Sequence, residues 1–170
     1  MAKAAVFSAD TRLELMDGEI IEMAPIGSAH AALVNALAAL LNRTCGDDMI
    51  VSVQNPLIAA ERSVPQPDLM LLKAREDRYF RSHPSAADVM LLIEVADSTL
   101  RFDLEEKMRL YAQSGVAESW VIDLEGRVVH VFQQPDSVGY RSKRTAKATD
   151  VVSPRRAPTI SMTLATLLPK

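Results

Sequence analysis

The sequence predicts a domain of the α/β or α+β class: a mixed β-sheet flanked by helices and preceded by an N-terminal β-hairpin. Three observations carry that prediction. Asp17-Gly18, between two short strand-like segments, is a type I′ turn signal. Two segments have helical periodicity, and the second, Asp103 to Ser114, sits inside a series of strands. Asp88 to Val95 is strongly apolar without alternation, the pattern of a central strand buried on both faces. A chain of 170 residues favours one domain, 1–170, with a full core.

Element by element, Thr11 to Met16 alternates, with Leu13 and Leu15 on one side and Arg12 and Glu14 on the other. Glu19 to Met23 returns as the second strand of the hairpin, so that Glu14 and Glu19 face solvent. Ser28 is placed to cap a helix over Ala29 to Arg43, whose apolar face is Val34, Leu37, Ala38, Leu40 and Leu41; Gly46 ends it. Met49 to Gln54 is a strand, broken by Asn55-Pro56. Asp68 opens another, Asp68 to Leu72, after Pro65 and Pro67. Arg75 to Ala87 is a loop or short helix, and the central strand follows, broken by Asp97-Ser98-Thr99. In the second helix Leu104, Met108 and Tyr111 form the core face, Lys107 falls on the polar side, and Gly115 stops the helix. Ser119 to Leu124 and Arg127 to Phe132 are strands joined at Glu125-Gly126, with Trp120 in the core as Tyr111 is. A basic stretch reads as a solvated loop, and Pro158 to Leu168 ends in a short strand and helix.

Composition excludes several classes. Hydrophobic residues are 48% and charged residues 24%, ordinary for a globular chain. No apolar run approaches the ~20 residues of a membrane span, and Met1 to Asp10 has no secretory pattern, so the expectation is a cytoplasmic protein. Cys45 is alone and reads as a small packed residue. The net charge of −3 argues against a protein that coats DNA by bulk electrostatics. Two basic clusters can still meet phosphates: Lys73, Arg75, Arg78 and Arg81, and the six basic residues from Arg141 to Arg156. No Walker, dinucleotide, Gly-x-Ser-x-Gly or His-Glu-x-x-His pattern is present.

Two acids stand in apolar strands, Asp68 in Pro67-Asp68-Leu69-Met70-Leu71 and Glu94 in Leu91-Leu92-Ile93-Glu94-Val95. A carboxylate so placed costs several kcal/mol unless it is paired, hydrogen-bonded or bound to a cation. If the strands are neighbours, both carboxylates reach one end of the sheet and offer the oxygen ligation Mg²⁺ prefers. The bland alternative makes each acid a strand-end residue facing water or an arginine. Lys107 likewise has a bland reading, as the helix ion-pair partner of Asp103 at i−4, worth ~0.3–0.5 kcal/mol. His30 lies on the apolar stripe of the first helix, where a histidine is ordinarily a satisfied core residue.

Pro67-Asp68, then about 25 residues further on Glu94, then a lysine, resembles the PD-(D/E)XK nuclease superfamily. The ordered set from Leu13-Glu14-Leu15-Met16-Asp17-Gly18-Glu19-Ile20 and Pro25 to His30 through Val53-Gln54-Asn55-Pro56-Leu57, Pro67-Asp68-Leu69, Ile93-Glu94-Val95-Ala96-Asp97-Ser98 and Asp103…Lys107…Tyr111 to Glu118-Ser119-Trp120-Val121-Ile122-Asp123 resembles the restriction-endonuclease-like family called Uma-two. The superfamily tripeptide has its lysine two residues after the acid. Here that position is Ala96, and the resemblance moves the lysine to the following helix as Lys107. It implies a restriction-endonuclease-like fold and a metal-dependent endonuclease acting on nucleic acid, DNA before RNA. Asp68, Glu94 and the backbone carbonyl of Val95 would hold Mg²⁺, with Mn²⁺ an alternative. Lys107 would act on the attacking water and the phosphate, and His30 joins as a second-tier site residue. Cutting both strands favours a homodimer. Two alternatives stay open: a nuclease-fold protein that binds nucleic acid or a partner without cutting, and a hydrolase of a small phosphoester.

Overall fold

The computed structural model describes residues 12–169; Thr11 and the N-terminal segment of the sequence reading lie outside it. The described residues open with an antiparallel hairpin, β1 (Leu13–Met16) and β2 (Glu19–Glu22). Asp17 and Gly18 take φ of 52° and 85°, the two left-handed positions a type I′ turn requires. The hairpin forms its own two-stranded sheet. The far edge of β1 docks on the segment before β4: Val64 N–H donates to the Leu15 carbonyl at 2.7 Å and Gly18 N–H to that of Arg62 at 2.8 Å.

Helix α1 (Ser28–Thr44) buries His30, Leu33, Val34, Leu37 and Leu41. Its caps differ from expectation. Ser28 is already helical, Gly27 precedes the helix, and no side chain caps it. Cys45, in extended backbone, ends it by donating its N–H to the Leu41 carbonyl, so Gly46 needs no left-handed conformation.

The main sheet has six strands in sequence order: β3 (Met49–Val53), β4 (Leu69–Lys73), β5 (Val89–Ala96), β6 (Glu118–Asp123), β7 (Val128–Pro135) and β8 (Tyr140–Lys147). All neighbours are antiparallel except β5 and β6, which are parallel. A parallel pair demands a crossover, and here it is helical: α2 (Leu100–Phe102), a π-helical segment (Asp103–Lys107) and α3 (Met108–Ser114) run on from one another. Gly115 ends them at φ 89°. Two more strands, β9 (Val151–Val152) and β10 (Met162–Thr163), pair with each other.

The basic stretch expected as a loop is in large part β8, an edge strand of the sheet. Arg141, Lys143, Arg144 and Lys147 are exposed on it, while Tyr140 and Ala146 are buried. Charged side chains on an edge strand oppose pairing with a second sheet, so the charge run is compatible with a strand, which charge alone did not reveal.

Each face of the sheet carries a core. Leu91, Ile93 and Val95 of β5 share one with Leu33, Val34, Leu37 and Leu41 of α1. Leu92 and Ala96 share the other with Met108, Tyr111 and Ala112 of α3. Alternation along β5 therefore assigns Glu94 to the α3 face. Among the described residues no helix is long and apolar enough to cross a membrane.

Candidate active site

Leu69 of β4 stands opposite Ile93 of β5, so Asp68, one residue before β4, meets the chain at Glu94 and Val95. Asp68 N–H points at Glu94 Oε2 at 3.4 Å, and Val95 N–H donates to Asp68 Oδ2 at 2.9 Å. His30 reaches the same oxygen from α1, with Nε2 at 2.9 Å. Gln54 Nε2 donates to Oδ1 at 3.2 Å. Burial alone would raise the Asp68 pKa; the His30 contact and the donors Val95 and Gln54 outweigh it and hold the carboxyl below its ordinary 3.8. With Asp68 ionised, the network assigns the proton of His30 to Nε2.

Glu94 is 2% exposed. Its Oε1 accepts from Lys107 Nζ at 3.2 Å and from the Tyr111 hydroxyl at 2.5 Å. Burial is the largest influence on its pKa and raises it; Lys107 opposes, while Asp68, Asp103 and Glu14 reinforce burial, and the result is about 8. Burial would lower the Lys107 pKa, but Glu94, Glu14 and Asp103 together lift it above the ordinary lysine value. Tyr111, buried beside these acids, is raised too and remains a hydroxyl donor.

Lys107 is 2% exposed, not on the polar side of its helix. The wide turn of the π segment, which ends at Lys107, brings both Lys107 and Asp103 to the buried side. A regular 3.6-residue period does not show this, and π turns are frequent at functional sites. The expected ion pair with Asp103 is replaced: Lys107 bridges Glu14 and Glu94, each at 3.2 Å, and Asp103 accepts from Thr99 Oγ1 at 2.6 Å. Burial, ahead of the opposing effects of Lys107 and Thr99, pushes the Asp103 pKa up to about 6.

Glu14 also departs from expectation. It is 3% exposed because the docked edge of β1 turns its even-numbered side chains, Glu14 and Met16, inward and leaves Leu13 and Leu15 half-buried. Glu14 Oε1 accepts from Lys107 Nζ and from Gln66 N–H at 3.1 Å. Glu19 is exposed as expected. Gln54 is the other residue that sequence reasoning passed over. It takes φ of 50° at the end of β3, a conformation that costs a non-glycine residue about 1 kcal/mol, and it aims its amide at Asp68. The signal for both was present in the family motif, where Glu14 and Gln54 occupy matching positions; alternation argued against Glu14.

Asp68, Glu94, Val95, Lys107, His30 and Glu14 all line one cavity of about 260 Å³, closed on one side by the hairpin and the segment from Met23 to Gly27. Among the described residues two buried side-chain atoms lack a hydrogen-bond partner, Glu14 Oε2 and His30 Nδ1, and both residues line this cavity. Of the described lysines and arginines only Arg12 and Lys107 do so. The cluster from Lys73 to Arg81 follows the opposite end of β4 from Asp68. The β8 stretch approaches more closely: Ala96, Asp123, Val128 and Lys147 form one row across the sheet. That places Lys147 at the same sheet end, three strands from β5, roughly 14 Å by strand spacing. His130 bonds Thr145 on β7 and β8, and His83 is an exposed loop residue; neither lines this cavity.

Among the described residues no three His, Cys, Asp or Glu side chains stand as a ready metal cage. A pair of carboxylates plus a carbonyl and water is instead the mode of Mg²⁺, which seldom uses all-protein cages. An ionised carboxylate offers about four lone-pair sites. Asp68 engages three donors in all, and Glu94 receives only the long Asp68 contact on Oε2, so each retains acceptor capacity for a cation. The donor set fits a hard divalent ion.

A family model described as "Uma2: Putative restriction endonuclease" matches residues 2–166. Among solved structures, a "putative nuclease belonging to DUF820" from Anabaena variabilis superimposes with a TM-score of 0.76 at 14% identity, covering 95% of this chain and 92% of that one. At that identity the likeness establishes the restriction-endonuclease-like fold. No curated protein matches the chain.

Proposed function

The chain belongs to the Uma2 family, and from that membership and the chemistry of the cavity we propose a divalent-metal-dependent nuclease that hydrolyses phosphodiester bonds of nucleic acid, DNA before RNA. One observation carries the reading: two buried acids, Asp68 at the entry to β4 and Glu94 on the adjacent β5, share a cavity with a buried lysine. Asp68, Glu94 and the Val95 carbonyl would hold Mg²⁺, or Mn²⁺ in its place. When bound, the ion supplies Lewis-acid polarisation of the scissile phosphate and eases ionisation of the attacking water.

The remaining work falls to the chain. Lys107, its pKa raised, stays an ammonium at neutral pH. It therefore donates to the phosphate and offsets the charge that builds there, rather than taking a proton. Proton acceptance falls to His30: its Nε2 is anchored on Asp68, and its Nδ1 is buried without a partner among the described residues. Exposed cations of β8, with Lys147 nearest, would position the backbone without specifying sequence. The domain extends over 1–170, and two copies related by a two-fold axis would address both strands of a duplex.

The test is incubation of the pure chain with plasmid, single-stranded DNA and RNA, with Mg²⁺, Mn²⁺ or EDTA, beside Asp68→Ala. Cleavage that requires the metal and vanishes in Asp68→Ala supports the proposal. Cleavage that survives EDTA, or that Asp68→Ala retains, refutes it. Binding without any cleavage assigns the chain to the non-catalytic alternative.

A further inference from the structure

Glu14 belongs to none of the motif elements that define the superfamily's acid pair and lysine, yet from β1 it lines the same cavity. Its position is set by backbone, not by a flexible arm. Gln66 N–H holds Oε1 at 3.1 Å, Gln66 Nε2 bonds the Leu13 carbonyl at 3.2 Å, and the Leu15 and Arg62 carbonyls tie the rest of the hairpin down. Oε1 is fully occupied by that amide and by Lys107. Oε2 is buried, belongs to a side chain that lines the cavity, and has no hydrogen-bond partner among the described residues. The large majority of buried side-chain polar atoms in native proteins find a partner, so this oxygen is shaped for something the described residues do not supply.

The chemistry of the oxygen narrows what that is. A carboxylate paired with an ammonium offers only lone pairs. Phosphate oxygens offer lone pairs and negative charge as well, so a phosphate placed there would be repelled. The partner must bring hydrogen-bond donors or positive charge. Resting on the reading that this cavity takes a divalent ion, we propose that Glu14 holds the hydration shell of that ion through Oε2 while fixing the Lys107 ammonium through Oε1. Glu14 is thus a positioning residue that joins cation and lysine. The arrangement explains why Lys107 has two acids where one would neutralise it. Glu94 can turn toward the cation, and Glu14 keeps the ammonium in place.

The experiment is a Mn²⁺ titration of the full-length chain, followed by electron paramagnetic resonance of free Mn²⁺, for wild type, Glu14→Gln and Asp68→Ala. Glu14→Gln keeps the volume and removes the charge. Outer-sphere partners of this kind typically contribute ~10–100-fold to metal affinity, so Glu14→Gln should bind Mn²⁺ ~10–100-fold more weakly with an unchanged circular dichroism spectrum. Equal binding by wild type and Glu14→Gln, with binding lost in Asp68→Ala, overturns the role of Glu14 and leaves the cation centre standing. A wild type that binds no Mn²⁺ overturns both. Should Glu14→Gln fail to fold, the wild-type chain decides: bound Mn²⁺ should broaden the ¹³C carboxyl resonance of Glu14 and spare that of Glu118. A Glu14 resonance as sharp as that of Glu118 overturns the proposal.

Discussion

At the Glu118 end of β6 the buried polar groups close on one another; at the Val95 end of β5 they do not. Glu118 is as buried as Glu94. Its Oε1 accepts from Trp120 Nε1 at 2.7 Å and its Oε2 from Arg155 N–H at 2.8 Å. Beside it, Ser119 Oγ and the Tyr140 hydroxyl are 2.7 Å apart, and the Tyr140 hydroxyl donates a hydrogen bond to the Val116 carbonyl at 2.8 Å. Every one of these atoms is answered from within the chain. At the other end a buried lysine and four buried acids, Glu14, Asp68, Glu94 and Asp103, gather with His30, and two atoms have no partner among the described residues. An acid buried for structure finds its donors in the fold. Acids crowded together with open lone pairs are destabilising alone and call for a cation. The difference separates a closed packing network from a cluster of acids with open lone pairs without reference to motif.

The largest effect should come from Asp68→Ala. It removes a proposed ligand of the ion, whose polarising effect is worth several kcal/mol at the transition state. By the tenfold-per-1.36 kcal/mol rule that is a loss of about a thousandfold or more in cleavage rate, measured on plasmid at saturating Mg²⁺. A rate within tenfold of wild type would remove the distinction between the two ends.

Lys107→Met should follow. Loss of a preorganised charge costs about 10²–10³ in rate. Because Lys107 is buried, the variant should also lose about 3 kcal/mol of stability, the cost of leaving a buried partner unpaired. Urea denaturation at pH 8 and pH 5 checks this: the deficit should shrink at pH 5, where Glu94 carries a proton and needs no counter-charge. A deficit independent of pH contradicts the bridge between Glu14 and Glu94.

Glu118→Gln tests the closed end. Leaving Trp120 or the Arg155 amide without an acceptor should cost about 1–3 kcal/mol, read by urea denaturation. The response to Mn²⁺ should match wild type. A weakened response would mean that the two ends are coupled.

The smallest effect is on pH. Glu94 has its folded pKa raised from 4.5 to about 8. The folded state therefore prefers its protonated form. Its contribution to stability is complete below pH 4.5 and is lost as pH rises through 8. Asp68 runs the other way, with a lowered pKa whose contribution is present above 3.8 and lost as pH falls. Between pH 5 and 8 two raised acids titrate, Asp103 at about 6 and Glu94 at about 8; above pH 6 Glu94 dominates, and a cation that displaces its proton should stabilise more as pH rises. Thermal melts with saturating Mg²⁺ should show a shift that grows by a few degrees from pH 5.5 to 8, given about 2–4 °C per kcal/mol for a chain of this size. A shift that is flat with pH would exclude Glu94 as a group the ion engages.

Much of the fold was readable because its signals are local. The Asp17-Gly18 turn, the apolar run of β5 and the stop at Gly115 each reside in a few adjacent residues; the adjacency of Asp68 and Glu94 was expected only if their strands were neighbours, and the pairing of β4 with β5 supplies that condition. The misses are tertiary. Which face of β1 is inward depends on the segment around Val64, about 50 residues away in sequence, so alternation assigned Glu14 to solvent. Lys107 looked exposed because a π turn has no sequence signature in a 3.6-residue period. β8 looked like a loop because an edge strand tolerates the charges that a central strand excludes.

The most direct measurement is a crystal of the wild-type chain soaked in Mn²⁺, with diffraction collected to give an anomalous-difference map. The account predicts a peak in the cavity within coordination distance of the carboxylates of Asp68 and Glu94, with Lys107 still held by Glu14, and no peak beside Glu118. A saturated soak with no peak between Asp68 and Glu94, or with its peak elsewhere in the molecule, would contradict it.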